Sequence, residues 1–287
     1  MKHSKQMQHR GNAVVVLGMG LIIASFLFVG LLAQRVAAQE TETADAVQST
    51  ASQDLPSGEE VMENHIAKTG GYDAYGKIKN RVTESTLEIV GQGVSLDFTA
   101  YAARPNQTLV KIDSPLTGKI EKGCDGNVVW ENSLIGGPVI RDGAQRSNGL
   151  RDSTFERFVY WKSIYESAEC KSVAQVGDSD CYQIVLTPKK TDSSVGDEGI
   201  MQVFIDASSY LIQKIEMVVD TDAGKIAVVA FPEDYRQVDG IMVAHKMRME
   251  LLGQKREFTV NSLEHNVDLP DNLFDLPDEV QKLMLES

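Results

Sequence analysis

The chain has 287 residues and a formal charge of −13, from 28 Lys and Arg against 41 Asp and Glu. The first 38 residues hold four basic groups and no acidic ones, so the remainder is more acidic still. Such a body repels phosphate and anionic lipid surfaces, which excludes nucleic acid as a partner class.

Lys2, Lys5 and Arg10 precede an uncharged, almost wholly apolar run from Gly11 to Gln34. This reads as an export segment over residues 1–38, with Val36–Ala38 as a small-residue cleavage site before Gln39. Its length also suits an uncleaved inner-membrane anchor through residues 13–33. Either way the body is placed outside the cytoplasm, in the periplasm or cell envelope. Residues 39–56 are rich in Thr, Ser, Ala and Gln and read as a disordered linker. The folded body is expected over residues 57–287. Its three cysteines, Cys124, Cys170 and Cys181, allow one disulfide in an oxidising compartment. A turn at "VGDSD" would set Cys181 near Gln175 rather than Cys170, so a bond within that hairpin is not expected.

Ser57 and Glu60 form a capping box for a first helix, with Val61, Met62, Ile66 and Ala67 as its apolar face and "TGG" as its stop. From about Asn80 the period changes to two. Leu87 and Ile89 share a face, then Val94, Leu96, Phe98, Ala100 and Ala102, then Val110 and Ile112. "SLIGGPVIRDGAQRSNG" reads as loop. After it, Ser153 and Glu156 look like a second capping box, and Phe155, Phe158, Trp161 and Tyr165 recur at helical spacing, predicting an aromatic-faced helix. Strands then resume from "CYQIVLT" to "REFTVNSLEHN", and the tail is an extended, Pro-punctuated segment with a short terminal helix.

About ten strands with hairpin-length links and two main helices predict a mainly β, α+β fold with one antiparallel sheet. A sheet that long curls, giving an unclosed barrel whose inner face the helices cover. Inward residues then serve as core and as cavity wall. Candidate wall residues are Leu87, Ile89, Phe98, Val110, Ile112 and Trp130, with Met217, Met247 and Met249 as adaptable apolar contacts. Phe155, Phe158, Trp161 and Tyr165 form the expected lid. His65, His245 and His265 are scattered without metal-ligand spacing, and there is no nucleophile elbow, phosphate loop or Cys-x-x-Cys pair. Nothing in the sequence calls for a cofactor or a catalytic constellation.

One set of motifs goes further. Arg104-Pro105-Asn106 opens a strand that ends near Pro115, and Asp125-Gly126 begins another that climbs to Trp130. In order and spacing these resemble the periplasmic lipoprotein carriers of the LolA type. "FIDASSYLIQKIEM" and the closing stretch with Asn266 and Phe274-Asp-Leu-Pro277 resemble the wider group of outer-membrane lipoprotein-sorting proteins. The resemblance spans roughly Ser57 to Pro277. It implies a lidded cavity for lipid or lipoprotein acyl chains and makes Arg104 a latch that holds the lid by its backbone. The alternative is an envelope interaction module whose core is filled and which binds a protein rather than a ligand.

Overall fold

The computed structural model describes residues 55–114, 118–190, 199–221 and 224–286. The expected export segment and all but the end of the linker lie outside them.

Period-two patterning produces strands wherever it was legible. β1 (Asn80–Ile89), β2 (Val94–Ala103), β3 (Gln107–Ser114), β4 (Gly118–Cys124), β5 (Val129–Ser133) and β6 (Gly137–Ile140) follow one another through tight links. β7 (Tyr165–Val176), β8 (Ser179–Pro188), β9 (Met201–Asp206), β10 (Ile212–Thr221), β11 (Gly224–Val238), β12 (Ile241–Leu251) and β13 (Gln254–His265) form the second run, with a longer link of residues 189–200 between β8 and β9. All thirteen join one antiparallel sheet in the order β6-β5-β4-β3-β2-β1-β13-β12-β11-β10-β9-β8-β7, and the sheet is not closed into a barrel. The first six strands thus march outward from the centre to one edge, and the last seven march inward from the other edge. β1 meets β13 in the middle, with Leu87 opposite both Leu96 and Phe258.

This topology forces one long connection. The chain must travel from edge strand β6 to edge strand β7, and it does so across the inner face. Helix α3 (Gly143–Asp152) begins the crossing and touches both β5 and β10, so the sheet curls far enough to bring those strands under one helix. Helices α1 (Gly58–Thr69) and α2 (Gly71–Lys77) lie on the same face, packed on β7, β8 and β12. Ser57 caps α1 as expected, accepting from the Glu60 amide at 3.1 Å. Gly70 ends α1 at φ 141°, where a Cβ would strike the Gly240 carbonyl, so glycine is required at that joint. The buried face of α1 is Val61, Met62, His65, Ile66 and Thr69, whereas Ala67 is exposed.

The crossing differs from the sequence expectation. The predicted aromatic helix is absent: the helix lies upstream, and Ser153 is its C-cap, with its amide donating to the Gly149 carbonyl at 2.9 Å. Residues 153–160 run as turns, Glu156 is left-handed at φ 53°, Trp161–Ser163 make one 3₁₀ turn, and Tyr165 already belongs to β7. Phe155, Trp161 and Tyr165 are nonetheless buried, and Phe158 is half-buried. Their spacing signalled burial, which each achieves by a separate inward turn rather than along one helical stripe. The strand count also exceeds the expected ten. Edge strand β6 is short and carries Pro138, and edge strand β7 is polar on alternate positions, both common edge devices that weaken the hydrophobic signal.

The inner face holds the main core, where each fully buried aliphatic side chain contributes roughly 1.5–3 kcal/mol. A smaller cluster covers the outer face near the β6 edge. Tyr101, Leu109, Trp130 and Ile140 line up across neighbouring strands, and Leu273, Phe274, Leu276 and Val280 from the tail and helix α4 (Asp278–Glu286) close over them. Trp130 therefore packs outside and is not a cavity residue. Alternation explains it: Val129 points inward beneath α3, so its neighbour must point out. The Trp130 ring lies over Gly123, where a Cβ would meet it at 2.9 Å. Cys124, Cys170 and Cys181 are free thiols, and Cys181 pairs across the hairpin with Ala174.

Candidate ligand cavity

A cavity of about 210 Å³ opens where the two halves of the sheet meet. Its sheet wall is Phe98, Ala100 and Ala102 of β2, Val110 of β3, Met247 of β12, and Phe258 and Val260 of β13. Its roof is the crossing segment, chiefly Phe155, Phe158 and Val159, with Tyr75 from α2 and His65 and Thr69 from α1. Phe98 and Phe258 meet edge-to-face at 6.2 Å and form the floor. Among the wall residues expected from sequence, Phe98, Val110 and Met247 line this space. Leu87, Ile89, Ile112, Met217 and Met249 are buried without lining it. Phe155 and Phe158 of the expected lid line it as well, while Trp161 and Tyr165 pack in the adjoining core.

The lining residues that sequence reading did not single out include small and hydroxylic ones, Thr83 and Ser85 on β1, Ala100 and Ala102 on β2 and Thr108 on β3, and larger ones such as Ile212, Ile215 and Tyr235. The small ones line the space from strand positions. An inward position occupied by a small side chain leaves space that nothing else fills, and that was the readable signal.

The roof is held by arginines. Arg104 donates from Nε to the Ile78 carbonyl at 2.6 Å, and from Nη2 to the Tyr75 carbonyl at 2.7 Å and the Tyr160 hydroxyl at 3.0 Å. Its guanidinium also lies 5.2 Å from the Phe155 ring centre and 4.7 Å from that of Tyr160. One side chain thus ties the end of α2 to the aromatic crossing, using the fixed fork of donors that distinguishes arginine from lysine. The next two residues continue the clamp. The Pro105 carbonyl accepts from the Phe155 amide at 3.0 Å, and Asn106 Nδ2 donates to the Gly126 carbonyl at 2.9 Å. The Arg-Pro-Asn and Asp-Gly motifs are therefore in direct contact. Asp125 Oδ1 meanwhile accepts from the amides of Asn127 and Val128, fixing the turn into β5.

Two ion pairs sit in the cavity lining. Arg81 binds Glu156 at 2.9 Å and faces the Phe155 ring at 5.6 Å. Arg157 binds Asp152 at 2.5 Å, and both are buried. Arg157 also lies 5.0 Å from the Phe158 ring centre. Burial pushes the Asp152 carboxyl up to about 7, against the pull of Arg157 and Arg151. Burial likewise raises Tyr75 to about 12 and lowers His65, whose Nδ1 donates to the Tyr210 carbonyl at 2.7 Å.

The Asp152 shift predicts a pH effect of definite sign. A carboxyl raised in the folded state favours the protonated fold, so its contribution to stability is lost as pH rises toward and through 7. His65, lowered on folding, has the opposite slope over an overlapping range. The Asp152 part is therefore read by difference: Asp152→Asn should gain on wild type in melting temperature between pH 5 and pH 8. A constant gap across that range would contradict the assignment.

The other motif residues hold the frame. Burial works against ionisation of Asp206, but the Ser208 and Ser209 hydroxyls and the Ser209 amide hold its carboxyl far below the ordinary range and fix the β9–β10 hairpin. Asn266 accepts from the Lys79 amide at 2.7 Å and donates to the Lys77 carbonyl, binding the end of α2 to the end of β13. His245 and His265 donate to the Val243 carbonyl and the Asp239 carboxylate. Among the described residues, no cluster of three or more His, Cys, Asp or Glu is arranged to hold a metal, and no helix is long and apolar enough to cross a membrane.

A family model described as "Uncharacterized protein" matches residues 161–277. Among curated proteins, nothing matches the sequence. Solved structures do. A DUF1329 family protein from Desulfovibrio piger shares 15% identity at a TM-score of 0.55, over 77% of this chain and 98% of that one. A LolA superfamily protein from Nitrosomonas europaea shares 15% at 0.53, over 77% and 99%. A domain named as an outer membrane lipoprotein-sorting protein, from Vibrio parahaemolyticus, shares 15% at 0.52, over 79% and 97%. At that identity the likeness is one of fold, and it establishes the fold implied by the sequence motifs.

Proposed function

We propose that this chain, built on the fold it shares with LolA superfamily proteins, is an extracytoplasmic binder of acyl chains that serves lipid or lipoprotein sorting in the cell envelope. The observation that carries this reading is the apolar cavity beneath a roof held by side-chain contacts. Each buried methylene contributes about 0.8 kcal/mol, so a chain segment that fills the space binds without polar help. A volume of about 210 Å³ lies below the ~300–1,000 Å³ of common ligand pockets. The cavity therefore holds part of a chain with the roof down, and a whole chain enters when the roof lifts. Arg104 serves as the latch on that roof. The leader reading and the acidic body fit an exported protein that does not adhere to anionic membranes.

Titration with an environment-sensitive fluorescent fatty-acyl probe tests the reading. Saturable uptake at one probe per protein, displaced by unlabelled acyl chains, is expected. A folded protein that takes up none of the probe would favour the interaction module, with the packed lower half of the inner face extended upward as solid core.

A further inference from the structure

A second space, of about 300 Å³, shares no lining residue with the acyl cavity. One face of α3 lines it, with Arg146, Ser147, Leu150 and Arg151 at helical spacing. Gly149, turned away from that face, seats the helix on β5, where a Cβ would come within 2.6 Å of Val129. Ile164, at the end of the crossing, and Lys189, just past β8, line it too, and the Lys189 amide donates to the Ile164 carbonyl at 2.9 Å. Among the described residues, no carboxylate lines this space and none of its three cations makes an ion pair. Asp152, next to Arg151 in sequence, is paired with Arg157 instead. Arg146 donates from Nη2 to the Asn127 carbonyl at 3.0 Å, and Arg151 from Nη2 to the Asn148 side-chain oxygen. Both are thus steadied by neutral acceptors, and each keeps N–H donors that no neighbour uses. Arg151 is only 7% exposed, yet its unpaired nitrogens are not among the atoms sealed from solvent. In a chain of net charge −13, three cations around one space with no acid in its lining are a local reversal of sign, and such a space collects anions.

We propose that this space is a phosphate-binding site. Arg146, Arg151 and Lys189 balance the charge, and the two guanidinium forks match the several oxygens of a phosphate in a way a single ammonium does not. The Ser147 hydroxyl adds a neutral donor. Leu150 and Ile164, both half-buried, give the space an apolar side that suits carbon attached to the phosphate. The phosphate belongs either to a lipid head group or to free inorganic phosphate. The site stands on its own lining and does not depend on the acyl-binding reading.

Calorimetric titration of the full chain with inorganic phosphate, dihexanoyl phosphatidate and dihexanoyl phosphatidylcholine tests it. Phosphatidate is expected to saturate one site, more weakly as salt is raised. Phosphatidate binding more tightly than inorganic phosphate identifies a lipid head group as the ligand, and equal binding identifies free phosphate. Arg146 and Lys189 are exposed, so Arg146→Gln/Lys189→Gln keeps the fold, which circular dichroism checks. That variant should bind phosphatidate about ten- to a hundredfold more weakly, the size of one charged hydrogen bond. Hydrogen exchange places the ligand: with phosphatidate bound, amides of residues 143–151 and 161–164 should slow. Absence of binding by either anion would overturn the proposal. So would phosphatidylcholine binding as tightly as phosphatidate, because its uncharged head would show an apolar contact alone. Unchanged affinity in the double variant would overturn it as well, since the cations would then have no part in binding.

Discussion

Arg104→Ala is expected to lower stability by roughly 3–5 kcal/mol and to loosen one defined region. The side chain makes charged hydrogen bonds to two backbone carbonyls, at about 1.5–3 kcal/mol each, and packs its plane on two aromatic rings. The Ile78 and Tyr75 carbonyls close the end of α2, and their loss leaves acceptors open at a partly buried helix terminus. Arg104→Lys should recover only part of the loss, because a single ammonium cannot span two carbonyls and lie flat on two rings. Hydrogen exchange provides the local reading. Amides of residues 71–78 and 153–160 should exchange faster in the variant, while β10–β13 stay protected. A loss spread evenly over the sheet would make Arg104 an ordinary frame residue and remove its role as latch.

Filling the cavity should have the opposite profile, with binding lost and stability kept. Ala100 is a half-buried wall residue, with Thr83 and Val110 as its strand neighbours, and its side chain meets open space. A tryptophan there occupies volume that the fold does not otherwise use, so the usual penalty for overpacking is small. Excluding about four methylenes of ligand costs about 3 kcal/mol, or roughly 150-fold in affinity for an acyl probe. The melting temperature should stay within a few degrees of wild type. Unchanged affinity with Ala100→Trp would show that the acyl chain does not use this space.

The sequence made the sheet legible because inward and outward residues alternate strictly along β1, β2 and β3. Alternation reports which face a residue takes but not which level of the curled sheet it occupies. Phe98 and Val110 face the cavity, whereas Leu87 and Ile112, on the same inner face, lie in solid core. What covers each level is decided by the crossing segment, whose path has no periodic signature. Helix α3 was invisible because "GAQRSNGLRD" carries almost no apolar residues and is held by its place between β5 and β10. The aromatic spacing downstream pointed to burial and was mistaken for helical periodicity. Trp130 was misplaced because its neighbour Val129 takes the inward position. Arg104 was found through the motif around it.

The central claim is that the space beneath the crossing holds an acyl chain, and native mass spectrometry of the protein purified from cells producing the full chain tests it most directly. The account predicts a second, heavier species whose extra mass, released by solvent extraction, is a lipid with an acyl chain, and predicts that Ala100→Trp purifies without it. A wild-type protein of bare mass that acquires no lipid on incubation with envelope extracts would contradict the account.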